Sequence, residues 1–362
     1  MKTLRPIAIV AASLMLTQGA FAQMQLTPPA ADTKAAPKKD APKEKKAPTA
    51  AKKPAPAATP KVAPTATPTP APTATQAPAS VFDNPNVDLV YGAYQRGQYK
   101  TAFDLAMNRA QYNGDPKAMT MLGELYANAM GVKRDYAKAA EWYNRAADAG
   151  DREAMFALAM MRLSGRGGTT NREEAVKLLA SSAKLGNPKA AYNLALLYLD
   201  GQTLPQDVKR AAELLRVAAD AGNPEAQYAL ATFYKEGTGV EKDAEKAVRL
   251  LQAASLAGNV DAEVEYAIAM FNGSGTPKNQ PAAVALLRKA ARQNSPIAQN
   301  RLARVLAFGT GAQQDKVEAL KWHWIAKSAG KGDPELDEVL ASVPPADRAR
   351  AEEAGRKWLG NK

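Results

Sequence analysis

The sequence contains no cysteine and a single histidine, His323, among its 362 residues. Without cysteine there is no disulfide framework, no thiolate metal ligand and no cysteine nucleophile. One imidazole leaves almost no material for a histidine-based metal site or a Ser-His-Asp triad. His323 lies between Trp322 and Trp324, at a sequence position that recurs elsewhere as tyrosine or leucine. This setting predicts a packed histidine with a structural role.

Other marks of catalysis are also missing. The chain has no P-loop, no dinucleotide-binding fingerprint and no nucleophile elbow. Glu263 and Glu265 lie two residues apart, so on a helix they do not share a face. Residues 165–168 (GRGG) are glycine-rich and basic, but their place in a recurring turn favours a structural turn over a phosphate cradle. The sequence therefore predicts a protein that is not an enzyme and that binds no cofactor and no metal.

The formal charge of +12 is concentrated near the start of the chain. Lys2 and Arg5, together with nine lysines against three acidic residues in residues 24–80, supply two thirds of it. The rest of the chain is only mildly basic. The high isoelectric point therefore reflects the N-terminal region, and no nucleic-acid partner is predicted.

Residues 1–22 resemble a secretory signal peptide. Lys2 and Arg5 give a positive start, residues 7–17 are apolar, and Ala20-Phe21-Ala22 precedes a predicted cleavage site before Gln23. A membrane anchor is the alternative, but spanning a bilayer takes about 20 apolar residues. We expect export to the periplasm of a Gram-negative cell, or secretion, with no transmembrane segment after cleavage.

Residues 23–82 are dominated by proline, alanine, lysine and threonine. Closely spaced prolines remove hydrogen-bond donors, and few apolar side chains are available for burial. We predict a disordered linker, extended and partly polyproline-like. Its lysine cluster, Lys38–Lys53, is expected to be a solvated spacer; contact with peptidoglycan or another anionic envelope polymer is the alternative.

A residue suited to ending a helix recurs every 36 residues in the rest of the chain. The series is Gly114, Gly150, Gly186, Gly222, Gly258, Asn294 and Gly330. Asparagine tolerates the left-handed conformation that such an end requires. Six equal intervals of this size are typical of a solenoid.

Positions aligned on these marks keep their chemistry from unit to unit. Each mark is followed by a good N-cap residue: Asp115, Asp151, Asn187, Asn223, Asn259 and Ser295. Three residues later comes an alanine in every unit: Ala118, Ala154, Ala190, Ala226, Ala262 and Ala298. A second N-cap begins a second helix: Asp135, Asn171, Asp207, Asp243, Asn279 and Asp315. Glycine turns, such as Gly201 and Gly237, separate the two helices.

Two capped helices per unit, with apolar residues at i, i+3 and i+4, predict an antiparallel helical hairpin. We therefore predict an all-α fold, a right-handed α-solenoid of six 36-residue repeats over residues 115–330. Residues 83–114 are expected to form an N-terminal capping hairpin and residues 331–362 C-terminal capping helices, with Trp358 packing the last helix down.

The repeated pattern A-x-x-x-L-A/G-x-x-Y-x-x-G-x-G, then D-x-x-K-A, then A-A-x-x-G-N resembles the Sel1-like repeat family, which is related to tetratricopeptide repeats. The resemblance implies a scaffold or adaptor that binds other proteins, and in bacteria often a role in the cell envelope or host contact. Some secreted members staple each hairpin with a disulfide, and this cysteine-free sequence departs from them.

Binding residues are sought where the repeats differ, on the face of the first helices turned away from the alanine and leucine positions. We expect this face to be concave and to hold an extended peptide or helix. The candidates are Met121, Met160, Asn193, Leu196, Arg301 and Arg304. The apolar members, with Ile268, could instead be packing between repeats, and Tyr192 and Tyr228 suit either role. The function predicted is an envelope protein-interaction scaffold; the alternatives are an envelope-polysaccharide or peptidoglycan binding module and, third, a cell-wall or β-lactam hydrolase.

Overall fold

The computed structural model describes residues 88–360, which form sixteen α-helices joined by short turns. The leader (residues 1–22), the linker (residues 23–82) and the first residues of the predicted N-terminal cap lie outside the described residues. The helices are α1 Leu89–Gln95, α2 Tyr99–Asn113, α3 Pro116–Asn128, α4 Tyr136–Asp148, α5 Arg152–Ser164, α6 Arg172–Lys184, α7 Pro188–Asp200, α8 Val208–Asp220, α9 Pro224–Glu236, α10 Ala244–Leu256, α11 Val260–Asn272, α12 Gln280–Arg292, α13 Pro296–Phe308, α14 Lys316–Ser328, α15 Pro334–Leu340 and α16 Pro345–Gly360. The predicted all-α repeat of helical hairpins is confirmed.

All twelve repeat helices begin at the N-cap residues that the sequence predicts. In α7 the side chain of Asn187 accepts a hydrogen bond from the backbone N–H of Ala190, and in α8 Asp207 accepts from Arg210. The recurring alanine three residues after each first-helix cap therefore supplies the N–H that the cap satisfies, as Ala226 does for Asn223. Its small side chain is also fully buried, so the same position serves both capping and close packing.

The first helices end in residues with left-handed backbone conformation, and in five of the six repeats a glycine follows two residues later. Gly275 has φ +71°, and a Cβ atom placed there would lie 2.3 Å from the carbonyl oxygen of Ala244 at the start of α10 in the preceding repeat. Gly167 meets Tyr136 at the start of α4 in the same way. Where it is present, the second glycine therefore lets the turn pack onto the hairpin before it. Residues 165–168 form a structural turn, as predicted.

From α2 to α14 each helix packs on the helix before it and the helix after it. The core runs between the two helix layers and consists mainly of fully buried alanines and leucines, such as Leu158, Leu179 and Leu215. Alanine between leucines allows neighbouring helices to approach closely. Because each repeat buries its apolar face only against its neighbours, the array is built one hairpin at a time along the chain.

The two ends of the described array are closed differently. At the N-terminal end, α1 and α2 pack on α3 around Tyr94, Ala102 and Ala106. At the C-terminal end, α16 packs on α14, where the rings of Trp358 and Trp322 meet edge to face with centroids 5.4 Å apart. Trp358 thus packs the last helix down, as the sequence predicts.

Candidate interaction surface on the first helices

The residues predicted to bind a partner occupy two equivalent positions in the repeats, six and nine residues after each first-helix cap. The position at six holds Met121, Ala157, Asn193, Ala229, Glu265 and Arg301; the position at nine holds Glu124, Met160, Leu196, Thr232, Ile268 and Arg304. Residues three apart share one side of a helix. These two positions, with the one at five, are here named the first-helix face.

Burial divides the predicted residues. Met121 is only 5% exposed and belongs to the core around α1 to α3, so it is not available to a partner. Met160 and Leu196 are half-buried at the same position of successive repeats. Asn193 is half-buried as well, and its side-chain amide donates to the carbonyl oxygen of Lys189 at 2.8 Å. The usable surface therefore begins at the second repeat.

Aromatic side chains follow the same face at the position five residues after the cap. Phe156, Tyr192 and Tyr228 are half-buried there. Burial, and next the carboxylates of Asp261, Glu265 and Glu236, raise the pKa of Tyr228 to about 12. Burial and Glu225 likewise raise the pKa of Tyr192. The middle of the face therefore offers neutral phenol rings set among acidic side chains.

Arg301 and Arg304 come together in a pocket between α11 and α13 with a volume of about 280 Å³. Ile268, Phe271 and Phe308 contribute its apolar walls. Leu287 of α12 and Val305 of α13 also line it, and Asn272 and Thr310 complete it. The two predicted arginines thus belong to one site, whereas the other predicted residues lie on earlier repeats.

The two arginines differ in their partners. Arg304 donates to Asp333 at 2.6 Å and to Glu335 at 2.5 Å, and its guanidinium carbon lies 5.7 Å from the centre of the Phe308 ring. These hydrogen bonds raise the pKa of Arg304. Arg301 is exposed and makes no hydrogen bond or ion pair with any residue from 88 to 360. Arg304 therefore holds the C-terminal cap in place, while Arg301 is left for other groups.

Sequence reasoning did not single out Glu124, which occupies position nine in the first repeat and is 3% exposed. It accepts a hydrogen bond from the Tyr143 hydroxyl at 3.1 Å and from the Asn128 amide at 2.6 Å. Burial raises the pKa of Glu124 to about 7. A glutamate at a position held by methionine, leucine or isoleucine in three of the five other repeats is the sequence signal that could have found it.

His323 and the acidic pair on α11 occupy structural positions. His323 is buried, and its Nε2 atom lies 2.9 Å from Asp337 on α15, while its Nδ1 atom has no hydrogen-bond partner among the described residues. Glu263 is buried and binds Lys289 at 2.6 Å, whereas Glu265 on the first-helix face binds Lys235 at 2.8 Å. The two glutamates point to different faces, as their spacing predicts. Between residues 88 and 360 no three His, Asp or Glu side chains are placed to hold a metal ion.

A family model matches six consecutive units of the chain, in the region where the capped helices, left-handed turns and alanine positions recur. The Sel1 repeat model matches residues 116–151, 152–187, 188–223, 224–259, 260–295 and 296–331. The chain belongs to the Sel1 repeat family. No curated protein matches it. Within the described part of this Sel1 repeat protein, no helix has both the length and the apolar character needed to cross a membrane.

Two solved structures share the fold of this chain, with TM-scores above 0.5. A Sel1 repeat protein from Oxalobacter formigenes is 28% identical, with a TM-score of 0.59, over 66% of this chain and 98% of that chain. A protective antigen of uropathogenic Escherichia coli strains with an SLR fold is 24% identical, with a TM-score of 0.52, over 74% and 67% of the two chains. An immunity protein from Pseudomonas aeruginosa is 18% identical, with a TM-score of 0.37, over 68% and 82%.

Proposed function

We propose that this Sel1 repeat protein is a non-enzymatic scaffold of the cell envelope that holds a protein partner on its first-helix face. The supporting observation is the row of large, half-buried side chains that continues from repeat to repeat on that face, from Phe156 and Met160 through Tyr192 and Leu196 to Ile268. Partly exposed apolar and aromatic side chains in series suit an extended segment or an amphipathic helix. Family membership supports the same reading, since Sel1 repeats generally serve protein interaction.

A crosslinked capture experiment tests this function. The full chain, exported in its own host, is crosslinked and purified from wild type and from Leu196→Glu, which places a charge in the middle of the row. We expect wild type to retain a discrete partner and Leu196→Glu to lose most of it.

The matched control is Arg216→Glu, because Arg216 is exposed on the second helix α8 of the same repeat. Circular dichroism and thermal melting show whether either variant has lost its fold. Equal recovery from all three proteins, or no recovered protein at all, would contradict the proposed function.

The cellular address is part of the proposal. The positive start, the short apolar stretch and the Ala20-Phe21-Ala22 sequence support export to the periplasm, with further secretion as the alternative. Fractionation and intact mass of the protein from the native host test it. A mass beginning at Gln23 in the periplasm or medium is expected, and an unprocessed chain in the cytoplasm would contradict it.

The lysines of residues 34–61 support a second candidate function, binding to peptidoglycan or another anionic envelope polymer. Co-sedimentation of the full chain with purified sacculi, compared with a variant lacking residues 34–61, separates this function from the first. If the variant lacking residues 34–61 no longer sediments with sacculi but still captures the protein partner, polymer binding belongs to these residues and partner binding to the repeats.

A further inference from the structure

The pocket between α11 and α13 has the size and lining expected of a site that binds one side chain. Its volume of about 280 Å³ lies just under the range of pockets that take whole drug-sized ligands. Ile268, Phe271 and Val305 line it, and Phe308 is 43% exposed at its edge. Such a lining favours one large apolar side chain of a bound segment, the kind of group that acts as an anchor at protein interfaces.

The charges around the pocket indicate which charge the bound segment should carry next to that apolar side chain. Arg304 is neutralised by Asp333 and Glu335. Glu265, which occupies the position of Arg301 one repeat earlier, is neutralised by Lys235 at 2.8 Å. Arg301 has no such counter-charge among the described residues. The uncompensated charge beside the pocket is therefore positive.

We propose that the pocket binds an acidic segment of a partner protein, with a large apolar side chain inserted between α11 and α13 and an Asp or Glu within two residues of it paired with Arg301. Arginine and carboxylate can form two parallel hydrogen bonds, so the pair fixes the direction of the segment as well as its charge. This inference rests on the proposed function and names the chemistry of the partner at one end of the first-helix face.

The part of the pocket formed by Arg304 and Phe308 is held in place before any segment arrives. Arg304 is fixed by two carboxylates from the C-terminal cap and lies over the ring of Phe308. A preformed wall lowers the ordering cost of binding. The C-terminal cap therefore contributes to recognition without having to touch the segment itself.

Selection of random peptides displayed on phage, with the full chain immobilised, tests the chemistry without knowledge of the partner. Wild type should enrich peptides with Phe, Leu, Ile or Trp within two residues of Asp or Glu. A synthetic peptide of the enriched sequence should bind Arg301→Glu about tenfold more weakly, because attraction is replaced by repulsion. Selection on Arg301→Glu should enrich Lys or Arg in place of the acidic residue.

Two further variants complete the experiment. Phe308→Ser should lower affinity for the same peptide while leaving the preference for acidic residues, and Arg216→Glu on α8 should change neither. No enrichment on wild type, enrichment of basic residues on wild type, or the same selected sequences on wild type and Arg301→Glu would each overturn the proposal. If crosslinked capture is lost in Leu196→Glu but unchanged in Arg301→Glu and Phe308→Ser, the proposed function stands and this inference fails.

Discussion

Glu124 is a carboxyl group placed where water cannot reach it. Removal of water from its charged form raises its pKa to about 7, from an ordinary value of 4.5, against the opposing effects of the Tyr143 hydrogen bond and of Lys189. Between these two values the folded protein holds a proton that the unfolded chain has released. The free energy of unfolding should therefore fall as pH rises from about 4.5 to about 7.

We expect Glu124→Gln to remove this pH-dependent loss of stability. One pKa unit corresponds to about 1.4 kcal/mol, so the variant should be about 3 kcal/mol more stable than wild type at pH 8. The amide keeps an oxygen that can accept from the Tyr143 hydroxyl. Urea unfolding at pH 4, 6 and 8 measures the effect, with Glu141→Gln, an exposed carboxyl on α4, as the control. A Glu124→Gln protein with the pH profile of wild type would show the explanation to be wrong.

Glu263 can be compared with the residues that other repeats carry at its position. It is 1% exposed, its Oε2 atom binds Lys289 at 2.6 Å, and its Oε1 atom has no hydrogen-bond partner among the described residues. Gln227 and Gln299 stand at the equivalent position and donate to Ala219 and Ala291 carbonyl oxygens, each at 3.1 Å. A glutamine at 263 should find the corresponding carbonyl, that of Ser255.

Removal of Lys289 should therefore be costly only while Glu263 is present. Lys289→Met leaves a buried carboxylate unpaired and should cost about 2 kcal/mol or more. Glu263→Gln should change stability by less than about 1 kcal/mol, and Lys289→Met should cost little in that background. Denaturant unfolding of the two single variants and the double variant measures the coupling energy between Glu263 and Lys289. Additive effects of the two substitutions would contradict this prediction.

At the scale of helices, the repeat positions carry most of the information needed for prediction. Caps and helix ends are local: Asn187 satisfies the N–H of Ala190 within the same turn, so the pattern alone places α7. The same locality explains what was missed. Whether Met121 faces a partner or the core depends on how α1 and α2 pack over α3, which no repeat position encodes.

The last helix packs mainly on α14, and Trp358 is part of that contact. It packs on Trp322, and Lys321 lies 4.5 Å from the Trp322 ring centre and 5.5 Å from that of Trp358. Trp358→Ala should release α16, so that amide exchange rises over residues 345–360 while the first four repeats keep their protection. Leu359→Ala, on a side chain 43% exposed, is the matched control. Unchanged exchange in α16 would contradict this view.

At the scale of the whole array, the constant period of 36 residues means that one repeat can be removed while the others stay aligned. Deletion of residues 187–222 joins Gly186 to Asn223 and keeps every cap, turn and alanine position in step. We expect a folded, fully helical protein with a modestly lower melting temperature, because stability in such arrays is close to a sum over repeats and their interfaces.

Deletion of residues 187–216 removes fewer residues but breaks the period, and it should unfold the array around the junction. Circular dichroism and thermal melting of the two deletion variants separate the outcomes. If the shorter deletion were the better tolerated of the two, the period would not be what organises the fold.

The fold and the partner differ in how far the sequence reveals them. The period, the caps and the glycines identify the fold because each acts within one or two repeats. The pocket could not be foreseen, because it joins Ile268 on α11 to Arg301 on α13 and depends on the C-terminal cap that holds Arg304. Two of the predicted residues, Arg301 and Arg304, line this pocket. Only Arg304 is paired, and its partners Asp333 and Glu335 lie beyond the last repeat.

The second glycine, present in five of the six repeat turns, affects how the array can bend. Gly131, Gly167, Gly239, Gly275 and Gly311 each bring a turn against the preceding hairpin, but the turn of the third repeat has Thr203 at that position. At the other five positions an added Cβ atom would lie less than 3.0 Å from the preceding hairpin, so the joint between the second and third repeats cannot make the same close approach. Under load or on binding a partner, the array should bend first at this joint. The hairpins before it and the hairpins after it should then move as two units of unequal length.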